Sequence, residues 1–127
     1  MTDMVNAPDH YRGHASGVEC IDIAQHMTFC AGNAMKYIYR RNDKWNTLED
    51  TKKALWYLTR HMEQFLKFVW LPEFESEREG KANLLRVIEH EPKGHIHSFY
   101  VFLYHGDVSS AAKQLMREIA RLEAIAS

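Results

Sequence analysis

The chain has 127 residues, 46% of them hydrophobic and 26% charged, the make-up of one globular domain over 1–127 rather than a disordered segment. A formal charge of −1, with acids and bases spread over both halves, leaves no basic field for general duplex-DNA binding, though a local cationic pocket stays open. No apolar run nears the roughly 20 residues of a membrane span, and residues 1–8 lack a signal peptide's apolar core.

Residues 1–17 read as an irregular arm, with turn chemistry at Asn6-Ala7-Pro8-Asp9 and punctuation at Gly13 and Gly17. Val18, Ile21, Ala24 and Met27 then recur at helical spacing. A second helix is expected from about Gly32-Asn33 to Arg41, burying Ala34, Met35 and Ile38, followed by a loop over 42–46. For the third, Thr47 is the expected N-cap, with Asp50 as a partner resembling a capping box. Leu48, Leu55, Leu58, Met62, Phe65 and Val69 form one stripe, which predicts the longest helix over about 47–70, stopped by Pro72. Residues 73–80 read as an acidic linker and 81–91 as a short helix. Residues 96–104 alternate as a strand would, but a lone strand has no partner, so helix is expected. Gly106-Asp107 opens a final amphipathic helix through Val108, Ala112, Leu115, Ile119 and Leu122. The fold class that follows is all-α, a compact helical bundle with an irregular N-terminal arm.

There is no ordinary phosphate loop: Glu75 stands where its first glycine belongs relative to Gly80-Lys81, and Ala82 follows the lysine. Serine-hydrolase and zinc-peptidase signatures are absent too. The polar sides of the second and third helices are more informative. Asn33, Lys36, Tyr37, Arg40 and Lys44 recur at near-helical intervals, as do Glu49, Lys53, Trp56 and Arg60, with Asp50, Tyr57 and His61 alongside. Facing one another, these would offer cations to phosphate and π-faces to a base. The start of the second helix would add free N–H groups. On spacing alone the same residues more often describe a solvated face laced with i,i+4 pairs, and the aromatics a core or rim. Glu19 and Asp22, one turn apart, can chelate Mg²⁺ or simply complement a helix N-terminus. His95 and His97, with His90 and His105, lack cysteine or carboxylate at metal-site spacing, so no metal ligands are assigned. Cys20 and Cys30 suggest no disulfide framework and read as free thiols of a reducing cytoplasm.

Four blocks carry a resemblance: Asn6-Ala7-Pro8-Asp9-His10-Tyr11, Val18-Glu19-Cys20-Ile21-Asp22, Gly32 through Arg40, and Glu49 through Leu58. Over about residues 6–64 the chain resembles the small bacteriophage nucleotide kinase family, formerly a phage domain of unknown function. That resemblance implies phosphoryl transfer from a nucleoside triphosphate to a deoxynucleoside monophosphate of the dTMP/dGMP class, without a phosphate loop or a required cofactor, in a host bacterial cytoplasm. It implies catalytic roles for Lys36, Arg40, Asp22 and Asp50, with Lys44 and Lys53 as further neutralising cations. His10 and Tyr11 would close over base or sugar, and Glu19, Asn33, Tyr37, Trp56 and Tyr57 complete the nucleotide-binding set. Residues 1–70 are then the nucleotide-binding half and 81–127 a C-terminal helical extension. Arg41, about 100° round the helix from Arg40, is expected to matter less.

Two rivals stand beside this. The carboxylates Glu19, Asp22, Glu49 and Asp50 on two helices resemble those of the all-α nucleoside triphosphate pyrophosphatases, which hold Mg²⁺, although the second pair is adjacent rather than a turn apart. The other rival is a non-catalytic phage protein that binds a nucleotide or blocks a host protein. Expected partners are nucleotides, with neither duplex nucleic acid nor membrane. A homo-oligomer through residues 99–104, Leu115, Ile119 and Leu122 is a further expectation.

Overall fold

The computed structural model describes residues 14–41, 46–64 and 68–126. Among these the regular elements are all helices: α1 (Ile21–Ala24), α2 (Phe29–Tyr39), α3 (Thr47–Glu63), α4 (Phe74–His90), α5 (His95–Tyr104) and α6 (Val108–Ala126). The bundle is all-α, as the patterning predicts.

In α2, Ala31, Ala34, Met35 and Ile38 are wholly buried, an i, i+3, i+4, i+7 stripe that faces the core. From α3, Ala54 and Leu58 meet it, and α6 closes over α3 with Ala111, Ala112 and Leu115. Helix α5 packs on α6 and buries Phe99, Tyr100 and Leu103. One hydrophobic core therefore takes side chains from both halves of the chain. Phe99, Leu103 and Leu115, residues behind the oligomer expectation, are spent inside this core.

Several boundaries depart from expectation. Helix α3 ends at Glu63, and among the described residues the longest helix is α6, with 19 residues. Residues 68–71 return instead to lie antiparallel to 26–28: Thr28 N–H donates to Val69 O (2.7 Å) and Leu71 N–H to His26 O (2.9 Å). This pairing buries Val69 and Trp70 more completely than the next turn of an exposed helix could. Phe65 lies outside the described residues. The acidic stretch read as a linker forms the first turns of α4, where Glu75 and Glu77 favour the positive end of the helix dipole. Both also pair one turn onward, with Arg78 (2.8 Å) and Lys81 (2.9 Å). Polarity there marks a wet helix face rather than a break.

Helix α2 begins at Phe29, before the predicted Gly32, because Thr28 takes the extended N-cap conformation. Gly32 N–H consequently donates to Thr28 O at 2.8 Å, so the free N–H groups expected at Gly32-Asn33 do not exist there. At α3 the N-cap is Asn46, not Thr47. Thr47 Oγ1 donates to Arg41 O (3.1 Å), and Asp50 is buried instead of closing a capping box. Helix α1 is only four residues and buries Ile23, while Ile21 is exposed.

Two glycines matter to the packing. A Cβ on Gly80 would lie 2.5 Å from the Trp70 ring and 2.8 Å from His26 Cβ, so α4 approaches the 26–28/68–71 pairing only because that carbon is missing. Gly106, at φ 76°, lets the chain turn between α5 and α6. Its N–H donates to Leu103 O (3.0 Å) and Asp107 N–H to Phe102 O (2.8 Å), a Schellman closure. Asp107 Oδ1 then accepts from Ser110 N–H (3.1 Å) and caps α6.

Candidate functional site

The side-by-side packing of α2 and α3 brings three cations around one ring. Lys36 Nζ and Arg40 Cζ each lie 4.9 Å from the Tyr37 ring centroid, and Lys53 Nζ, from α3, lies 5.6 Å away. Lys36 and Arg40 converge because they are one helical turn apart, and Lys53 is one turn before Tyr57. Tyr57 stacks on Tyr37 with centroids 5.8 Å apart and ring planes 17° apart. Trp56 meets Tyr57 edge-on at 5.0 Å, and Phe29 meets it edge-on at 6.5 Å.

The electrostatics are unbalanced. Among the described residues Lys36, Arg40 and Lys53 form no ion pair, whereas nearby Lys52 reaches Glu123 (3.6 Å) and Arg60 reaches Glu63 (3.5 Å). Arg40 Nε is buried with no hydrogen-bond acceptor among the described residues. Cation–π attraction to Tyr37 offsets part of the mutual repulsion, but it supplies no negative charge. Burial pushes the pKa of the Cys20 thiol up to about 12, with the charges of Lys36 and Arg40 working the other way and Asp22 adding to the rise. Lys36, Arg40 and Asp22 are therefore all within electrostatic reach of one buried sulfur.

The remaining predicted site residues separate. Asp22 Oδ2 accepts from Glu19 N–H at 3.2 Å, which makes the pair a local turn lock. Asn33 Nδ2 donates to Phe29 O (2.9 Å), along its own helix. Asp50 is 2% exposed, and its Oδ2 has no hydrogen-bond donor among the described residues. Trp56 is 61% exposed and Tyr57 half-buried. His10, Tyr11 and Lys44 lie outside the described residues. Among the described residues no group of three or more His, Cys, Asp or Glu side chains could hold a metal ion. Two participants escaped the sequence reading, Phe29 and Cys20. The signal for Phe29 was Thr28, an N-cap residue that moves the start of α2 upstream and puts Phe29 on the same face as Asn33. For Cys20 no signal existed, because its nearness to the cations comes from packing alone.

Arg41, the residue expected to matter less to turnover, is engaged in a network of its own. Its Nη1 donates to Ile38 O (2.8 Å) and its Nη2 pairs with the buried Glu91 at 3.3 Å. Glu91 also accepts from His14 Nε2 (3.0 Å), while His14 Nδ1 accepts from Ser16 N–H (3.0 Å) and the ring stacks on Tyr39. A cavity of about 330 Å³ opens beside this network, lined also by His95, Glu118 and Arg121. Glu118 there accepts from Arg121 Nη2 (2.7 Å) and Nε (2.9 Å), so both carboxylates lining the cavity already have an arginine.

Comparison with known proteins gives residues 5–59 as a match to a family described as a protein of unknown function, DUF3310. No curated protein and no solved structure matches the chain. The resemblance to a nucleotide kinase family is thereby corrected: the family matched over the same segment has no assigned function, and no kinase family is indicated.

Proposed function

We propose that the α2–α3 face binds a nucleotide and promotes phosphoryl transfer from a nucleoside triphosphate to a deoxynucleoside monophosphate, dTMP or dGMP being the first to test. The observation that carries this is the gathering of Lys36, Arg40 and Lys53 within 5.6 Å of the Tyr37 centroid with no carboxylate partner among the described residues. Three cations kept together without acids are stabilised by a ligand that brings several negative charges, and a phosphate chain does so. The exposed Trp56 ring, packed beside Tyr57, offers a base an apolar partner.

In the transfer, an oxygen of the acceptor's phosphate attacks the γ-phosphorus of the donor. One O–P bond forms, the bond to the β–γ bridging oxygen breaks, and the diphosphate leaves with that electron pair. The acceptor is already an anion, so no strong base is needed. The protein's work is to align two anions and neutralise charge on the transferring group. Lys36 and Arg40 are assigned that role, with Lys53 holding the chain from α3. A bacterial host's cytoplasm, where both nucleotides are at hand, is the compartment this reading entails. Among the described residues no helix is long and apolar enough to cross a membrane.

The test is to incubate the purified chain with ATP and dTMP or dGMP, with and without chelator, and resolve the nucleotides. The expected products are ADP and the deoxynucleoside diphosphate. Release of pyrophosphate from a triphosphate alone, lost on chelation, would replace this reading with the pyrophosphatase one. Nucleotide binding without turnover would reduce the site to a binding site.

A further inference from the structure

The aromatic surface does not end at Tyr37 and Tyr57. Trp56 and Phe29 both lie nearly perpendicular to the Tyr57 ring. Trp56 is 61% and Phe29 76% exposed, so neither ring is there to fill the core. The two nucleotides of the proposed transfer bring two bases, fewer than the four rings gathered here. We propose that this face takes single-stranded nucleic acid, with successive bases stacked on Trp56 and Phe29 and the neighbouring phosphates on Lys36, Arg40 and Lys53. The inference rests on the nucleotide reading of the same cations and extends it from a monomer to an oligonucleotide.

Three physical arguments select this occupant. A positively charged edge alternating with accessible aromatic rings is what a sequence-tolerant single-strand site requires, because every base has a π-face and every linkage a charge. A duplex keeps its base faces stacked away and would meet only the cations, on a chain whose overall charge is −1. An apolar protein partner would have to desolvate the cations without supplying an acid, and a second copy docked by the same face would bring two sets of cations together.

Fluorescence anisotropy of a fluorescein-labelled twelve-residue oligothymidylate tests this, with dTMP and a duplex of equal length as competitors. The oligonucleotide should bind more tightly than dTMP, and duplex should compete poorly. Its log K should fall with log salt at a slope of about −2, as three phosphate contacts on a single strand imply. Phe29→Ala and Trp56→Ala should each weaken it at least about 5-fold, the lower end of base–aromatic stacking. Phe29 is 76% exposed, so misfolding of Phe29→Ala is no obstacle. If dTMP binds through Arg40 but both ring variants leave oligonucleotide affinity intact, this proposal falls and the nucleotide reading survives. Equal competition by duplex overturns it as mere charge attraction. If neither dTMP nor oligonucleotide binds, both readings fall. Oligonucleotide binding that depends on Arg40 and Phe29, with dTMP inert, would support this proposal against the mononucleotide one.

Discussion

Two regions of this molecule use the same residue types to opposite ends. Where the α4–α5 connection meets α6 and the end of α2, each arginine has its acid: Arg41 has Glu91, and Arg121 has Glu118. Both carboxylates are buried, and each also takes a bond from a histidine, His14 or His95. On the α2–α3 face, Lys36, Arg40 and Lys53 surround a tyrosine with no acid among the described residues. Matched charge of the first kind fixes elements to one another. Unmatched charge of the second kind repels itself, and its removal costs the fold little. The contrast separates cations that hold the protein together from cations available to a ligand, a distinction spacing cannot make.

The comparison can be broken most directly at Glu91. Glu91→Ala leaves Arg41 and His14 without their shared carboxylate in a buried place, and should cost about 3–5 kcal/mol in denaturant unfolding. Nucleotide affinity of the folded fraction should not change. A loss under about 1 kcal/mol would mean the network is no tighter than a surface pair.

Leu58 lies wholly buried behind the proposed face. Leu58→Ala should cost about 2–5 kcal/mol, read from the shift in the urea midpoint. An unchanged midpoint would show that α3 does not hold its stripe against the core.

For the unmatched cations the expected order reverses. Lys36→Ala or Arg40→Ala should lower turnover at least about 10²-fold, equivalent to about 2.7 kcal/mol of barrier. Stability should change by less than about 1 kcal/mol, since lost stem packing and relieved repulsion oppose each other. Arg41→Ala should do the converse, with destabilisation and unaltered turnover per folded molecule. Full activity in both Lys36 and Arg40 variants would leave the face merely solvated.

The smallest effect concerns acid. Hydrogen bonds from Arg121 and then from His95 hold the Glu118 carboxyl below its usual value of 4.5. The folded state therefore binds this proton less readily than the unfolded chain. The stability it contributes is present above pH 4.5 and is lost as pH falls through the lower folded value. Thermal unfolding should show a smaller fall in Tm below pH 4.5 for Glu118→Gln than for the parent chain. Identical acid limbs would mean the carboxyl titrates alike in both states.

Much of the fold was legible because apolar periodicity is a local property. The stripe Ala34, Met35, Ile38 and the final series Val108, Ala112, Leu115 turned up buried where spacing put them. The alternation across residues 96–104 was resolved toward helix by a counting argument, since a strand needs a partner. What misled was polarity at helix ends. Residues 74–80 look like a linker in one dimension, yet their acids suit a helix N-terminus and solvate a face that no other element covers. The stripe running on to Val69 failed for the converse reason, since that residue is buried by pairing with a distant strand-like segment rather than by its own helix.

By itself the sequence determined the helical class, the core stripes of α2 and α6, and a set of polar residues from which a site could be made; in α3 the buried face runs through Asp50, Thr51, Ala54, Leu58 and His61, while Met62 of the predicted stripe is exposed. Only the tertiary structure decided which members of the polar set meet. Lys36 and Arg40 share a face by helical repeat, but Lys53 joins them through the packing of α2 on α3. Arg41, adjacent to Arg40 in the chain, is turned by the same repeat toward Glu91, 50 positions later. Periodicity fixes directions around one helix. Whether a charge finds a partner depends on what another helix brings opposite it, and that is settled only when the core closes.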